Sequence, residues 1–268
     1  GLISILLVVT PTISLTFMYP YTANGYTFAL LFSVLSIYFL NKEKNLKNVL
    51  LTLICIISTL AFYQAYLCVI TTLFIIIYIL KILDNKTLSI KNFFTDALIL
   101  ILGIILYYIC LNIIIKILNL NISDYSGASS ILSFDTIKNL IYSIKNTYIT
   151  FYKFYFTDDI FNNLNWYRHI LNILLFSAIF INFIIIIVNN KIYKAPKRLI
   201  LLFLIVLTFP IFVCSVELVA QSREINLLMA SSLYLPIVLL LKQIDLMKNT
   251  KFNNILNMFS VLICIVTI

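Results

Sequence analysis

Residues 46–83 read LKNVLLTLICIISTLAFYQAYLCVITTLFIIIYILKIL. A single helix of that length would run about 57 Å at roughly 1.5 Å per residue. A bilayer core is only about 30 Å thick and takes roughly 20 apolar residues per helix. The run therefore folds as a hairpin. Lys42, Lys44 and Lys47 flank its start, and Lys81, Lys86 and Lys91 flank its end. Basic loops stay on the cytoplasmic side, so both ends are inside and the tip is outside. The uncharged polar residue at a plausible tip is Gln64, within Phe62-Tyr63-Gln64.

The same alternation continues along the chain. Lys191, Lys194, Lys197 and Arg198 form the next basic cluster, and Lys242, Lys248 and Lys251 the one after. These clusters together hold thirteen of the 19 Lys and Arg residues. With 62% hydrophobic and 11% charged residues, the composition excludes a soluble domain. Nine spans are expected: Leu2–Phe17, Gly25–Leu40, Leu46–Ala61, Ala65–Leu83, Phe93–Leu118, Ile170–Val188, Leu199–Ser215, Ile225–Leu241 and Ile255–Ile268. The expected fold is all-α: a polytopic membrane bundle forming one transmembrane domain over residues 1–268. The first and last spans reach the chain ends, and no initiator Met or signal-peptide n-region precedes them. The chain thus reads as part of a longer protein.

The net charge of +9 sits at span ends, where it meets anionic headgroups of the lipid bilayer. It does not form a nucleic-acid recognition helix. Cys55, Cys68, Cys110, Cys214 and Cys264 all fall in apolar spans without metal or redox spacing, and read as small apolar filler. The four glycines form no small-xxx-small seam, so close helix packing has to use Ala and Ser or remain modest.

Residues 18–24, 62–64, 119–169 and 216–224 are expected to face outward. In the longest of these loops, Ile137, Leu140, Ile141, Ile144, Tyr148, Phe151, Tyr152 and Tyr155 share one helical face, and Lys138, Lys145 and Lys153 fall away from it. This predicts an amphipathic helix over about 134–155, capped by Ser133 and lying in the headgroup plane.

The candidate chemistry is on the outward side. Glu217, Gln221, Arg223 and Glu224 cluster after the seventh span. Arginine matches phosphate oxygens with a planar fork, and a neighbouring carboxylate can hold that fork in place. The alternative is a solvated loop with an incidental ion pair. Asp158-Asp159 is a carboxylate pair at the aqueous boundary. Paired acids can act as a base or hold a divalent metal, but a dipeptide also suits a helix end, and neither a metal site nor a cofactor is indicated. His169, beside Trp166, Tyr167 and Arg168, reads as an interfacial anchor. Tyr63 and Gln64 are expected to line an outward cavity: a tip this tight draws Gln64 into the protein, where its buried amide binds a sugar hydroxyl or a neighbouring backbone group.

Pro20-Tyr21-Thr22-Ala23-Asn24-Gly25-Tyr26, the turn Phe62-Tyr63-Gln64-Ala65-Tyr66-Leu67 and Arg223 before the eighth span resemble the bacterial polytopic glucosyltransferases that decorate O-antigen and related surface glycans, in the GT-C class. The resemblance covers residues 11–83 in motif and the remainder in layout. It implies a multi-pass protein of the bacterial plasma membrane. It also implies transfer of a hexose, glucose, from a polyprenyl-phosphate donor to a surface-glycan acceptor on the extracytoplasmic face. Tyr63, Gln64, Arg223 and Glu224 are then the expected substrate-binding residues. The catalytic acids of such enzymes lie in the first outward loop, which is expected ahead of Gly1; within this sequence Glu217, Asp158 and Asp159 are the candidates. Two other readings share the layout. A surface-polysaccharide polymerase or ligase would want several arginines in the large outward loop, where Arg168 stands alone. A lipid-linked sugar flippase or transporter would want ionisable residues at mid-span. Asp96 and Lys116 sit near the two ends of the fifth span, where snorkelling suffices.

Overall fold

The computed structural model describes residues 10–84, 90–119, 134–157, 166–219, 227–247 and 251–267, and every element among them is helical. In chain order these are α1 (Pro11–Thr16), α2 (Ala23–Leu40), α3 (Leu46–Phe62), a 3-10 turn (Gln64–Tyr66), α4 (Leu67–Leu83), α5 (Ile90–Leu118) and α6 (Phe134–Phe156). There follow α7 (Trp166–Asn189), a 3-10 turn (Ile192–Lys194), α8 (Pro196–Val213), α9 (Val216–Val219), a 3-10 stretch (Leu227–Tyr234), α10 (Pro236–Leu246) and α11 (Lys251–Thr267).

Six helical segments are long and apolar enough to cross a membrane: Ala23–Leu40, Gln64–Leu83, Lys91–Leu118, His169–Asn189, Pro196–Val213 and Leu228–Leu246. The sequence led us to expect nine. Of the other three, Leu46–Phe62 and Asn254–Ile265 are shorter apolar helices. The first expected span, Leu2–Phe17, lies half outside the described residues, and its described half holds the six residues of α1.

The hairpin forms as the lysine flanks require. α3 and α4 are joined at Tyr63 and the 3-10 turn. α4 is apolar on all sides and is the most enclosed span, with Cys68, Val69, Ile70, Ile75, Ile76, Ile79, Ile82 and Leu83 at 2% exposure or less. It packs against α2, α7, α8 and α10. A helix apolar all round belongs in the interior of a bundle.

Small residues do the close packing, as expected. Ala29, Ser33 and Ser36 make the buried stripe of α2, and Thr52, Cys55 and Thr59 that of α3. Their hydroxyls bond back along their own helices: Ser33 to the Ala29 carbonyl at 2.7 Å, Thr52 to Asn48 at 2.8 Å and Thr59 to Cys55 at 2.9 Å. Each donor is thus satisfied without a partner from lipid. Gly103 contributes as well. A Cβ there would lie 2.8 and 2.9 Å from the Ile56 methyls Cδ1 and Cγ2, so α5 approaches α3 as closely as glycine allows.

The lysine-bearing helix ends meet at one end of the bundle. Lys81 Nζ donates to Asn41 Oδ1 at 2.7 Å, and Asn190 Nδ2 to the Leu83 carbonyl at 2.7 Å. Lys44 pairs with Asp96, and Tyr78 donates to Asp96 Oδ2 at 2.5 Å. This corrects the expectation for Asp96. It does not snorkel but is 2% exposed, because a cation and a hydroxyl meet it inside the fold.

Two further expectations change. Lys242 was placed at the start of a loop, yet α10 runs on to Leu246 and Lys242 pairs with Asp245 across one turn at 2.9 Å. Pro236 at the first helical position restarts the helix after the 3-10 stretch, which shifts the whole segment toward the C-terminus. α6 covers the predicted stretch, but its buried side is rotated from the predicted face and shares only part of it. Ser143, Thr147 and Thr150 are buried, with Phe154 and Tyr155, while Tyr148 and Tyr152 are 36% and 58% exposed. The hydroxyl stripe faces the bundle because small side chains allow close approach. Thr147 satisfies itself on the Ile144 carbonyl at 2.7 Å.

The Gly103–Ile56 contact yields a sign test. Gly103→Ala should destabilise by about 1–3 kcal/mol through overpacking. In an Ile56→Ala background the same change should be neutral or stabilising, since Ala exceeds Gly in helix propensity by about 1 kcal/mol. Thermal unfolding of the four proteins in one detergent measures this; equal effects in both backgrounds would refute the contact.

Candidate active site

The site is built where helices stop inside the bundle. α3 ends at Phe62, and Tyr63 turns extended, with φ −159° and ψ 105°. The 3-10 turn then swings the chain directly into α4. Tyr26, Tyr63 and Tyr66 stack edge to face, with centroids 4.7 and 5.1 Å apart. Of the turn residues Tyr66 is the most enclosed, at 1% exposure, and the turn packs against the 3-10 stretch Leu227–Tyr234. Gln64 remains exposed, and its Nε2 donates to the Tyr107 hydroxyl of α5 at 2.7 Å. The expectation that Gln64 is the buried member of the turn is therefore corrected. The ring, with more apolar area, takes the interior, and the amide ties the rim to α5.

α8 ends against this turn. The last carbonyls of a helix have no amide partner within it, and here side chains from other segments supply them. Thr71 of α4 donates to the Phe212 carbonyl at 2.8 Å and lies 3.0 Å from Ser215 Oγ. Ser232 donates to the Val213 carbonyl at 2.7 Å. Cys68 Sγ reaches the Met229 carbonyl at 3.7 Å. The beginning of α4, the end of α8 and the 3-10 stretch are thereby locked together.

From that junction the short α9 carries Glu217. Its amide bonds to the Cys214 carbonyl at 2.9 Å, its side chain is buried at 8% exposure, and its Oε1 accepts from Thr150 Oγ1 of α6 at 3.0 Å. Burial raises the Glu217 pKa above the ordinary carboxyl value, and the Thr150 hydrogen bond works against that rise. An acid held this way is a base of raised strength that still keeps one oxygen for other contacts. Beside Thr150 on α6, Phe151 packs on Phe176 and Phe209, with centroids 5.8 and 6.2 Å away, and further along the helix Tyr155 donates to the Leu233 carbonyl.

Tyr63, Gln64 and Glu217 therefore belong to one connected end of the bundle, opposite the lysine-bearing end, through Thr71 of α4 and its contacts with the Phe212 carbonyl and Ser215. Asp158, Asp159, Gln221, Arg223 and Glu224 lie outside the described residues. Sequence reasoning missed Thr150, Tyr66 and Tyr107. Thr150 is 67 residues from its partner, and no local pattern announces such a pair. Tyr66 was passed over as belt material.

No curated protein and no solved structure matches the chain. The family model for glucosyl transferase GtrII does match, over residues 1–241. Spanning most of an apolar, all-helical chain, that match makes the protein a member of the GtrII glucosyl transferase family and a glycosyltransferase enzyme.

Proposed function

We propose that this glucosyltransferase takes glucose from a polyprenyl-phosphate donor and transfers it to a hydroxyl of a surface glycan on the extracytoplasmic face. The observation that carries this reading is the buried Glu217 carboxyl at the end of the bundle opposite the lysines. Basic ends stay cytoplasmic, which directs the Tyr63–Glu217 end outward. Glycosyl transfer needs a base to remove the acceptor proton as the new bond forms, and a carboxylate with a raised pKa is suited to it. Glu217 takes that role. Arg223 grips the donor phosphate with its planar fork, and Glu224 holds the guanidinium in register. Tyr63 and Gln64 contact the sugar. α6 borders the mouth of the site from the outer leaflet and turns Tyr148 and Tyr152 toward lipid.

A transfer assay in nanodiscs, with polyprenyl-phosphate glucose and a glycan acceptor, tests the roles. Glu217→Gln should cut the turnover number by about 10²–10⁴-fold, the range for a general base, with donor binding kept. Full activity in that variant would remove Glu217 from the chemistry. The pH profile adds a signed test. Only the carboxylate form acts as base, so activity rises with pH through a pKa above the ordinary one. Thr150→Val removes the bond that favours the carboxylate, so the acid limb should move to higher pH, and Thr150→Ser should restore it. A shift to lower pH would contradict the assignment.

Gln64→Leu and Tyr107→Phe break the same hydrogen bond, worth about 0.5–1.5 kcal/mol net. If Gln64 also contacts the sugar, Gln64→Leu lowers transfer several-fold more than Tyr107→Phe. Equal losses would leave Gln64 as a tie between helices.

Arg223→Ala should abolish saturable binding of the polyprenyl-phosphate sugar, and Arg223→Lys should restore it only in part, because a point charge lacks the fork. Unchanged affinity in Arg223→Ala would end that role.

A further inference from the structure

α7, α10 and α11 pack on one another, and their shared faces carry amides and a hydroxyl inside otherwise apolar helices. Asn182 of α7, Gln243 of α10 and Ser260 of α11 are each at 0% exposure. Both side-chain polar atoms of Asn182, together with Gln243 Oε1, Asn257 Oδ1 and Ser260 Oγ, have no hydrogen-bond partner. A buried amide or hydroxyl left bare costs about 1–3 kcal/mol on mutational scales, and lipid offers it nothing. Five such atoms along one three-helix junction call for an occupant.

Their positions bring them together. Gln243 Nε2 points at the Ile179 carbonyl, 3.4 Å away. Ile179 lies one turn before Asn182 on the same buried stripe of α7, with Leu175 and Ile186. α10 ends at Leu246 and α11 begins at Lys251. Counted from those ends, Gln243 and Asn257 are level to within a turn, and Ser260 is one turn beyond Asn257 on the same face of α11, followed by Cys264.

The donor set decides the ligand. It is neutral, so a bound cation would be an uncompensated charge within the bundle. It also mixes donors with acceptors: Asn182 and Ser260 can give and take, while the Gln243 and Asn257 oxygens only take. Water, giving two hydrogen bonds and taking two, suits such a set and is the usual occupant of polar interior sites. We propose that Asn182, Gln243, Asn257 and Ser260 form an internal water-binding site at the junction of α7, α10 and α11. The site is separate from the Glu217 end and does not depend on its role in transfer.

Radiolytic hydroxyl labelling of the full chain in nanodiscs tests this, because radicals form from water in place. Ile179, Ile263 and Cys264, all at 6% exposure or less, should be labelled. Ile75 and Ile76 of α4, buried equally at 2% or less, should not. Asn182→Leu should reduce the junction labels at least several-fold and leave the rest of the pattern unchanged. Thermal unfolding separates wet from dry. Replacing a bare amide in a dry site with Leu raises the melting temperature, whereas breaking a water network lowers it. If Asn182→Leu does not fold, Ser260→Ala supplies the same comparison. Labels at Ile179, Ile263 and Cys264 no stronger than at Ile75, or a melting temperature that rises on substitution, would overturn the site.

Discussion

Hydrocarbon cannot solvate a polar group, and the whole architecture follows from that constraint. Along a span the backbone satisfies itself, and hydroxyls such as Ser33, Thr52 and Thr59 bond back onto their own helix. The backbone itself is left short where a helix stops within the bundle. The last carbonyls of α8 are such a place, and Thr71 and Ser232 reach across from other segments to meet them. Polar side chains are thus drawn to the points where helices break, for structural reasons alone. A catalytic carboxyl can be housed there at little added cost, because the hydroxyls that would satisfy it are already present. At the opposite end the same constraint pairs Asp96 with Lys44 and Tyr78.

How much of this could be read from the chain depends on the range of each interaction. The hairpin of α3 and α4 is legible because run length and flanking lysines allow one solution. The use of Ala29, Ser33 and Ser36 for close packing is legible because the spans lack a glycine seam, although Gly103 shows that one glycine suffices for one contact. What periodicity cannot say is which face of an amphipathic helix meets which neighbour. α6 has an aromatic face and a hydroxyl face, and both are plausible inner faces until the partner is known. The partners are α7, α8 and α9: Thr150 meets the Glu217 carboxyl, while Phe151 and Tyr155 meet the rings of Phe176 and Phe209. Gln64 was misread for a related reason. A polar tip residue suggests burial with a ligand, but Tyr66 beside it has more apolar area to hide, and Tyr107 stands within reach of the amide.

The Glu217 environment shows how three remote segments set one chemical property. α8 and α9 bring the carboxyl in, α6 supplies its hydrogen bond, and the packing of these segments leaves it 8% exposed. Burial and the Thr150 bond act in opposite directions on the proton. The balance between them is therefore a packing quantity: how closely α6 lies on α9 fixes how basic the carboxylate is.

That balance also explains why a helix inside the longest connection of the chain is a sensible place for the partner. α6 is linked to its neighbours by residues 119–133 and 157–165, so its seating is set by contacts rather than by a short covalent tether. Those contacts are few and specific: Tyr148 on the Leu207 carbonyl at 2.8 Å, Thr150 on Glu217, Tyr155 on the Leu233 carbonyl, and Asn172 back onto the Tyr155 carbonyl at 2.9 Å. Tyr155 and Asn172 meet carbonyls of a 3-10 stretch and of a helix end, Thr150 meets a buried carboxyl, and Tyr148 adds a bond to a carbonyl within α8. Hydrogen bonds of this kind contribute about 0.5–1.5 kcal/mol each. The set is strong enough to seat α6 in one register and weak enough that losing any one of them shifts that register. The hydroxyl stripe of α6 is what lets the helix come close enough to count, since a face of Tyr and Ile would hold it away from Glu217. The rotation of α6 away from its expected face is thus what places a donor on the buried acid.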